Sequence, residues 1–354
     1  MQSVVRLSME TRKAINGIFD PFLQPDSALH LNYFISAPLL PALLTPGRSP
    51  LLSKLMAKSE HVLSTQTLDA LICSMAGLPA ASRDAEADLP LAAICAHGES
   101  AFDGAAVAGA AFVFADPVHL VLQRDSFSLA APVPLPLAEE ESAALLETLN
   151  KHFAADGLAF LAGGDGHWYL RCGSAPAIRT HAPGQAAGRD IQAFLPDGAD
   201  AGYWRQLSNE IQMLLHAHPV NAKREADGRL PCNSLWFWGA GVLPAGGILS
   251  GISAYASTPL LRGLAKLGLV ALHPLPPHPG FELTGENVWV VFDAVQPPDE
   301  RWFKAAVDAL KSGRAETLTL FFELEVQVLS ARLTRADLWK FWRRRASLET
   351  YCEK

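Results

Sequence analysis

Three groups of residues have types and spacings that could do chemistry. Cys95, His97 and Glu99 in "AICAHGESAFDGA" alternate, so on a strand they share one face, as metal ligands do. A chance trio on a strand does the same. Asp116, Pro117 and His119 in "ADPVHLVLQRD" are close together. Asp116 precedes a proline and is biased to extended backbone, and His119 is within reach of its carboxylate. The same pattern also describes a kinked strand with a satisfied core pair. Arg171, Arg224, Asn233 and Arg262 form the third group. Guanidinium groups offer a planar fork of donors that suits phosphate or carboxylate, and they serve equally as interdomain salt bridges. Two signatures are missing. "GGDGHWYLRCG" lacks the Gly-Lys-Ser/Thr ending of a phosphate loop, and no Gly-x-Ser-x-Gly elbow occurs.

These residues surround an aromatic stretch, "PCNSLWFWGAG", from Pro231 to Gly241. Its alternation predicts a strand buried on both faces, with Leu235 and Phe237 on one side and Trp236 and Trp238 on the other. Gly239 and Gly241 then permit a sharp exit or a close backbone approach. The neighbouring elements follow from their own patterns. "LHLNYFIS" reads as a strand. "SPLLSKLMAKSE" reads as a helix with Ser49 at its cap and Pro50 at its first position. "TLDALICSMAG" reads as a helix stopped by Gly77. "AAFVFADPVHLVL" reads as a strand broken at Asp116-Pro117 and resumed. "AEEESAALLETLNKHFAADG" and "AGYWRQLSNEIQMLLHAH" are amphipathic helices, the first acidic at its N-terminus. "AFLAG" and "HWYLRCG" form a hairpin around Gly-Gly-Asp-Gly. Strands are predicted at 234–239, 270–272, 287–293 and 317–324, and helices at 258–267 and 300–312.

Composition limits the function classes. The 354 residues are 49% hydrophobic and 18% charged, which is globular and large enough for two or three domains. A net charge of −7 disfavours general nucleic-acid binding. No apolar run reaches membrane-spanning length, and "MQSVVRLSMETRK" has no signal-like apolar core. Five scattered cysteines without a Cys-x-x-Cys read as reduced thiols of a cytoplasmic protein. The Pro-rich stretch 130–137 marks a boundary. The expected division is a leader over 1–28, a first part of an α/β core over 29–137, an inserted α+β domain over 138–215, and the rest of the core with a C-terminal helix over 216–354.

"HPVNAKREADGRLPCNSLWFWGAG" resembles a segment of the archaeal-type cofactor-independent phosphoglycerate mutases, of the alkaline-phosphatase-like metalloenzyme superfamily. "TPGRSPLLSKLMAKSE", "GDGHWYLRC" and "TPLLRGLAKLGL" are weaker echoes, and the resemblance runs in patches over residues 40–310. "ADPVHL", "WYLR", "NSLWFWG" and "LWKFWRR" together resemble a bacterial family of regulatory proteins of the RpfE type. The resemblance implies an α/β fold: a central, mostly parallel sheet flanked by helices, with a smaller α+β insert. It also implies two divalent metals held by Asp and His, a Ser or Thr nucleophile, and insert-domain arginines that hold phosphate and carboxylate at a cleft.

Measured against that pattern, several parts are missing. The first strand ends at Ser36-Ala37 with no carboxylate. Leu68 stands at the nucleophile's place, with Thr67 one residue off and Asp69 and Gly77 retained. No histidine follows His278. Asp293, Asp299, Glu300 and Glu323 remain as carboxylates for a hard Mn or Mg site. The reading is a non-catalytic regulatory or anionic-ligand-binding protein without a cofactor. The competing reading is an active mutase or phosphoesterase with rearranged ligands and Mn or Mg. Arg171, Arg224 and Asn233 are expected to converge in one cleft, with Arg262 nearby, around a phosphorylated or carboxylated small molecule. A third reading gives the "RADLWKFWRRR" helix, with Leu338, Phe341 and Trp342 on one face, to a protein partner. Neither nucleic acid nor membrane is an expected partner.

Overall fold

A computed structural model describes residues 29–44, 49–79, 88–102, 107, 109–123, 126–247, 250–279, 283–324, 327–340 and 342–343. The expected leader, 1–28, lies outside the described residues. The strands are β1 (Leu29–Ile35), β2 (Glu60–Ser64), β3 (Ala111–Val118), β4 (Leu120–Leu122), β5 (Phe127–Leu129), β6 (Ala159–Ala162), β7 (Trp168–Cys172), β8 (Ser234–Val242), β9 (Ile252–Tyr255), β10 (Ala271–His273), β11 (Asn287–Phe292), β12 (Ala315–Glu323) and β13 (Val328–Thr334). The helices of eight or more residues are α1 (Pro50–Lys58), α2 (Leu68–Met75), α3 (Leu91–Gly98), α4 (Glu139–Phe153), α5 (Ala201–His216), α6 (Pro219–Ala226), α7 (Pro259–Lys266) and α8 (Glu300–Ser312).

The larger sheet has seven strands in the order β10-β9-β11-β1-β12-β13-β2. The run from β10 to β12 is parallel, and β13 and β2 add antiparallel strands at one edge. Both ends of the chain build it, because β1 from the start lies between β11 and β12 from the end. This is the expected α/β architecture, a central and mostly parallel sheet with helices packed on it. A second, antiparallel sheet has the order β6-β7-β3-β8. β3 and β8, which lie on either side of residues 138–215, pair with each other in it.

Apart from the exposed edge strand β2, these two sheets bury both faces, and three apolar clusters result. One covers the outer face of the large sheet, with Tyr33, Val290 and Leu320 under Leu55 of α1 and Phe303 and Leu310 of α8. A second covers the outer face of the small sheet, with Leu170 and Phe237 under Leu145, Leu149 and Ile211 of α4 and α5. The third lies between the sheets. It joins Phe34, Trp289 and Phe321 of the large sheet to Phe114, Tyr169, Trp236 and Trp238 of the small one, with α3 between them. The alternation in Leu235–Trp238 therefore divides the stretch between two cores.

Several local expectations meet a different outcome. The segment holding Cys95, His97 and Glu99 is a helix, α3, not a strand, so the three side chains do not share a strand face. β3 runs through Asp116-Pro117 and ends at Val118. Pro117 is tolerated because β7 pairs only with Ala111–Phe114, so the missing N–H falls on an unpaired edge. Ser49 occupies the cap of α1 without a side-chain capping bond. In place of the expected C-terminal helix the described residues show one 3₁₀ turn, Ala336–Trp339. Phe341, Arg344 and Arg345 lie outside the described residues. Among the described residues no helix is long and apolar enough to cross a membrane.

Candidate functional site

The small sheet approaches the C-terminal ends of β1 and β12 across a cavity of about 340 Å³. Its polar wall comes from both lobes: Thr67 and Asp69 at the start of α2, Glu323 at the end of β12, and His167 and Trp238 from the small sheet. Ala37, Pro38, Val133 and Leu324 supply apolar wall.

Asp116 organises the small-sheet side. Its side chain is fully buried, with Oδ1 at 2.8 Å from His167 Nδ1 and Oδ2 at 2.7 Å from Trp238 Nε1. A carboxylate can only accept, so both nitrogens carry their hydrogens. The imidazole is fixed in orientation, and Nε2 is its remaining polar atom. Phe114 stacks on Trp238 at 4.4 Å and lies 5.1 Å from the His167 ring, which closes the pair from the core side. Burial opposes the histidine's charge, but the contact with Asp116 and the charges of Asp165 and Asp69 outweigh it. The pKa rises to about 9.

The large-sheet side behaves in the opposite sense. Burial, and then the charge of Asp69, push the Glu323 carboxyl up to about 7, although the Ala37 N–H at 3.1 Å pulls the other way. Burial raises Asp69 as well; His167 opposes this shift and Asp165 adds to it. The cavity therefore holds one cation fixed by a buried anion, facing two carboxyls biased toward their neutral forms.

Asp116 is not placed to ligate a metal, because both its oxygens already accept N–H donors. His167 is held through Nδ1, with Nε2 as its remaining polar atom. Among the described residues no three His, Cys, Asp or Glu side chains gather as a ligand set. Thr67 caps α2, its hydroxyl oxygen accepting the Ala70 N–H at 3.3 Å, and Leu68 beside it is buried.

Three of the four residues expected around one ligand have separate structural partners. Arg224 is 4% exposed and inside the small lobe, bonded to Glu141 Oε2 at 2.5 Å, Leu230 O at 2.7 Å and Pro136 O at 3.2 Å. Asn233 makes a two-way bond with the Leu120 backbone, at 2.7 and 2.9 Å. Arg262 donates to Gly98 O and Ser257 O and lies 3.8 Å from Glu99. Arg171 is exposed on β7, across from Phe112 and Ala159. Arg224, expected in the cleft, lies on α6, which turns it inward onto Glu141. His119 does not pair with Asp116; its Nδ1 lies 2.8 Å from Pro231 O. Sequence reasoning missed His167. Its one local signal is a polar ring directly after Gly-Gly-Asp-Gly, at the head of an apolar strand.

No protein-family model matches the chain. Part of it matches 2,3-bisphosphoglycerate-independent phosphoglycerate mutases. Identity to the enzyme of Methanosarcina mazei is 29% over 110 residues, which is 30% of this chain and 28% of that protein. To that of Methanosarcina barkeri it is 25% over 195 residues, 49% of this chain and 48% of that protein. The matched region thus spans half or less of the length of these relatives. Among solved structures, a cofactor-independent phosphoglycerate mutase from Thermoplasma acidophilum aligns with 86% of this chain and 90% of its own, at 15% identity and a TM-score of 0.36.

Proposed function

We propose that this chain is a non-catalytic regulatory protein on a phosphoglycerate-mutase-like scaffold, holding a phosphorylated or carboxylated small molecule in the interlobe cavity. The observation that carries the reading is the Asp116–His167–Trp238 arrangement. It fixes the His167 ring on the cavity wall and biases it toward its charged form, which suits an anionic ligand. Neutral forms of Glu323 and Asp69 would donate hydrogen bonds to the same acidic ligand. The resemblance of "ADPVHL", "WYLR", "NSLWFWG" and "LWKFWRR" to bacterial regulatory proteins of the RpfE type supports the regulatory part. Four buried free thiols suit a cytoplasmic location.

A second reading is favoured by one observation. Thr67 places a hydroxyl at the N-terminus of α2, on the cavity wall beside Asp69. That arrangement would serve a phosphoesterase or mutase with Mn or Mg held by carboxylates. Metal analysis of purified protein, joined to a phosphoglycerate mutase assay with added Mn or Mg, separates the two readings. The first expects no turnover, and thermal stabilisation by 2- or 3-phosphoglycerate that His167→Gln removes. Metal-dependent turnover lost in Thr67→Ala would establish the second.

A further inference from the structure

A second cavity, of about 660 Å³, lies within the small lobe and is lined by Arg179, His181, Gln192, Asp197 and Arg205 together with Ala193, Leu195 and Pro196. Its volume falls in the usual range for small-molecule sites, about 300–1,000 Å³. Two arginines against one aspartate make its wall net positive, in a chain whose overall charge is −7.

The arginines are held in different ways. Arg179 and Asp197 exchange backbone hydrogen bonds at 2.6 and 3.1 Å, and Arg179 Nη2 also reaches Asp197 Oδ2 at 2.6 Å. That contact occupies one nitrogen of the guanidinium and leaves the rest of the fork. Arg205 projects from the first turns of α5 and is exposed. It contributes charge to Asp197, whose pKa is lowered mainly by the hydrogen bond from Arg179. His181 completes the wall. Its carbonyl accepts the Trp236 N–H at 2.8 Å and its ring stands edge-on to Phe194 at 5.4 Å, so the backbone and ring are fixed. Its Nδ1 is buried with no hydrogen-bond partner.

We propose that this cavity is an anion site, separate from the interlobe cavity, that takes the phosphate of a small phosphomonoester. Two guanidinium forks supply more donors than a single carboxylate can accept. A dianionic phosphate, with three terminal oxygens, matches them better. Asp197 is the competing internal anion and holds Arg179 in place when no ligand is bound.

The test is calorimetric titration of the full chain with inorganic phosphate, glycerol 2-phosphate and acetate at two salt concentrations. Phosphate and glycerol 2-phosphate are expected to bind more tightly than acetate and to weaken as salt rises. Arg205→Gln, which removes an exposed side chain and threatens no packing, should weaken both at least tenfold, the order of one charge-assisted contact. Asp197→Asn should tighten them. All titrations are repeated on the His167→Gln background, which removes the interlobe site from the measurement. No phosphate binding on that background, or binding there that Arg205→Gln leaves unaltered, overturns the proposal.

Discussion

Asp116 and Arg224 show how a buried charge is stabilised by its partners rather than by water. Asp116 gains two N–H donors, and Arg224 gains a carboxylate and two carbonyls. Removing Arg224 leaves Glu141 with Arg229 at 2.8 Å and the Ala138 N–H, but leaves two carbonyls without their donor. Arg224→Ala should therefore cost about 1–3 kcal/mol in urea unfolding, without moving ligand affinity in the folded protein. The two raised pKa values give a pH signature. A group that binds its proton more tightly when folded loses its stabilising contribution as pH rises. Glu323 does so from the unfolded value near 4.5 up to about 7, and His167 from near 6.5 up to about 9. Glu323→Gln should flatten the fall of stability with pH over the lower window, and His167→Gln over the upper. Thermal melts of both variants across this range check the assignment, and unchanged slopes would contradict it.

Among the elements, α3 decides how the lobes meet. Small residues on α3 and α7 let their backbones approach closely. A Cβ at Gly98 would lie 1.9 Å from Pro259 O, and one at Gly263 would lie 2.0 Å from Ile94 O. Neither neighbour is a flexible side chain, so the helices themselves must separate. Gly263→Ala should destabilise by about 1–3 kcal/mol or more and loosen the tie that Glu99 makes to the Tyr169 hydroxyl at 3.1 Å. Thermal unfolding with hydrogen exchange at the Gly163-Gly164 turn would show both effects. On its other side α3 meets Gly239, whose φ of +65° favours glycine and where an added Cβ would lie 3.2 Å from side-chain atoms of Leu91 and Phe114. The glycines after the aromatic stretch thus serve the docking of α3.

At the scale of the molecule, the small sheet depends on the large one. Its inner face, with Phe112, Phe114, Tyr169, Trp236 and Trp238, belongs to the cluster shared between the sheets. An excised fragment spanning residues 107–242 should retain its outer helices and yet expose this aromatic face. Strong binding of a hydrophobic dye, with poorly cooperative melting, is the expected result; a compact, cooperatively folding fragment would count against a shared core. The cavity at Asp69, His167 and Glu323 exists only because the lobes are held together in this way.

What the sequence determined by itself is local or countable. The helices at Glu139–Phe153 and Glu300–Ser312 follow from residues a few positions apart, whose periodicity specifies a face whatever that face meets. The β6–β7 hairpin follows from its Gly-rich turn. The lack of histidine after His278 needs only a count. The tertiary structure decided the partnerships: β3 with β8, Arg224 with Glu141, and Asp116 with His167, 51 residues away, in place of His119 three residues away. Alternation predicts that a face is buried but not against what, because many distant surfaces can cover it equally well. A buried carboxylate then takes the donor that the packed backbone brings within reach, and sequence separation does not limit that choice.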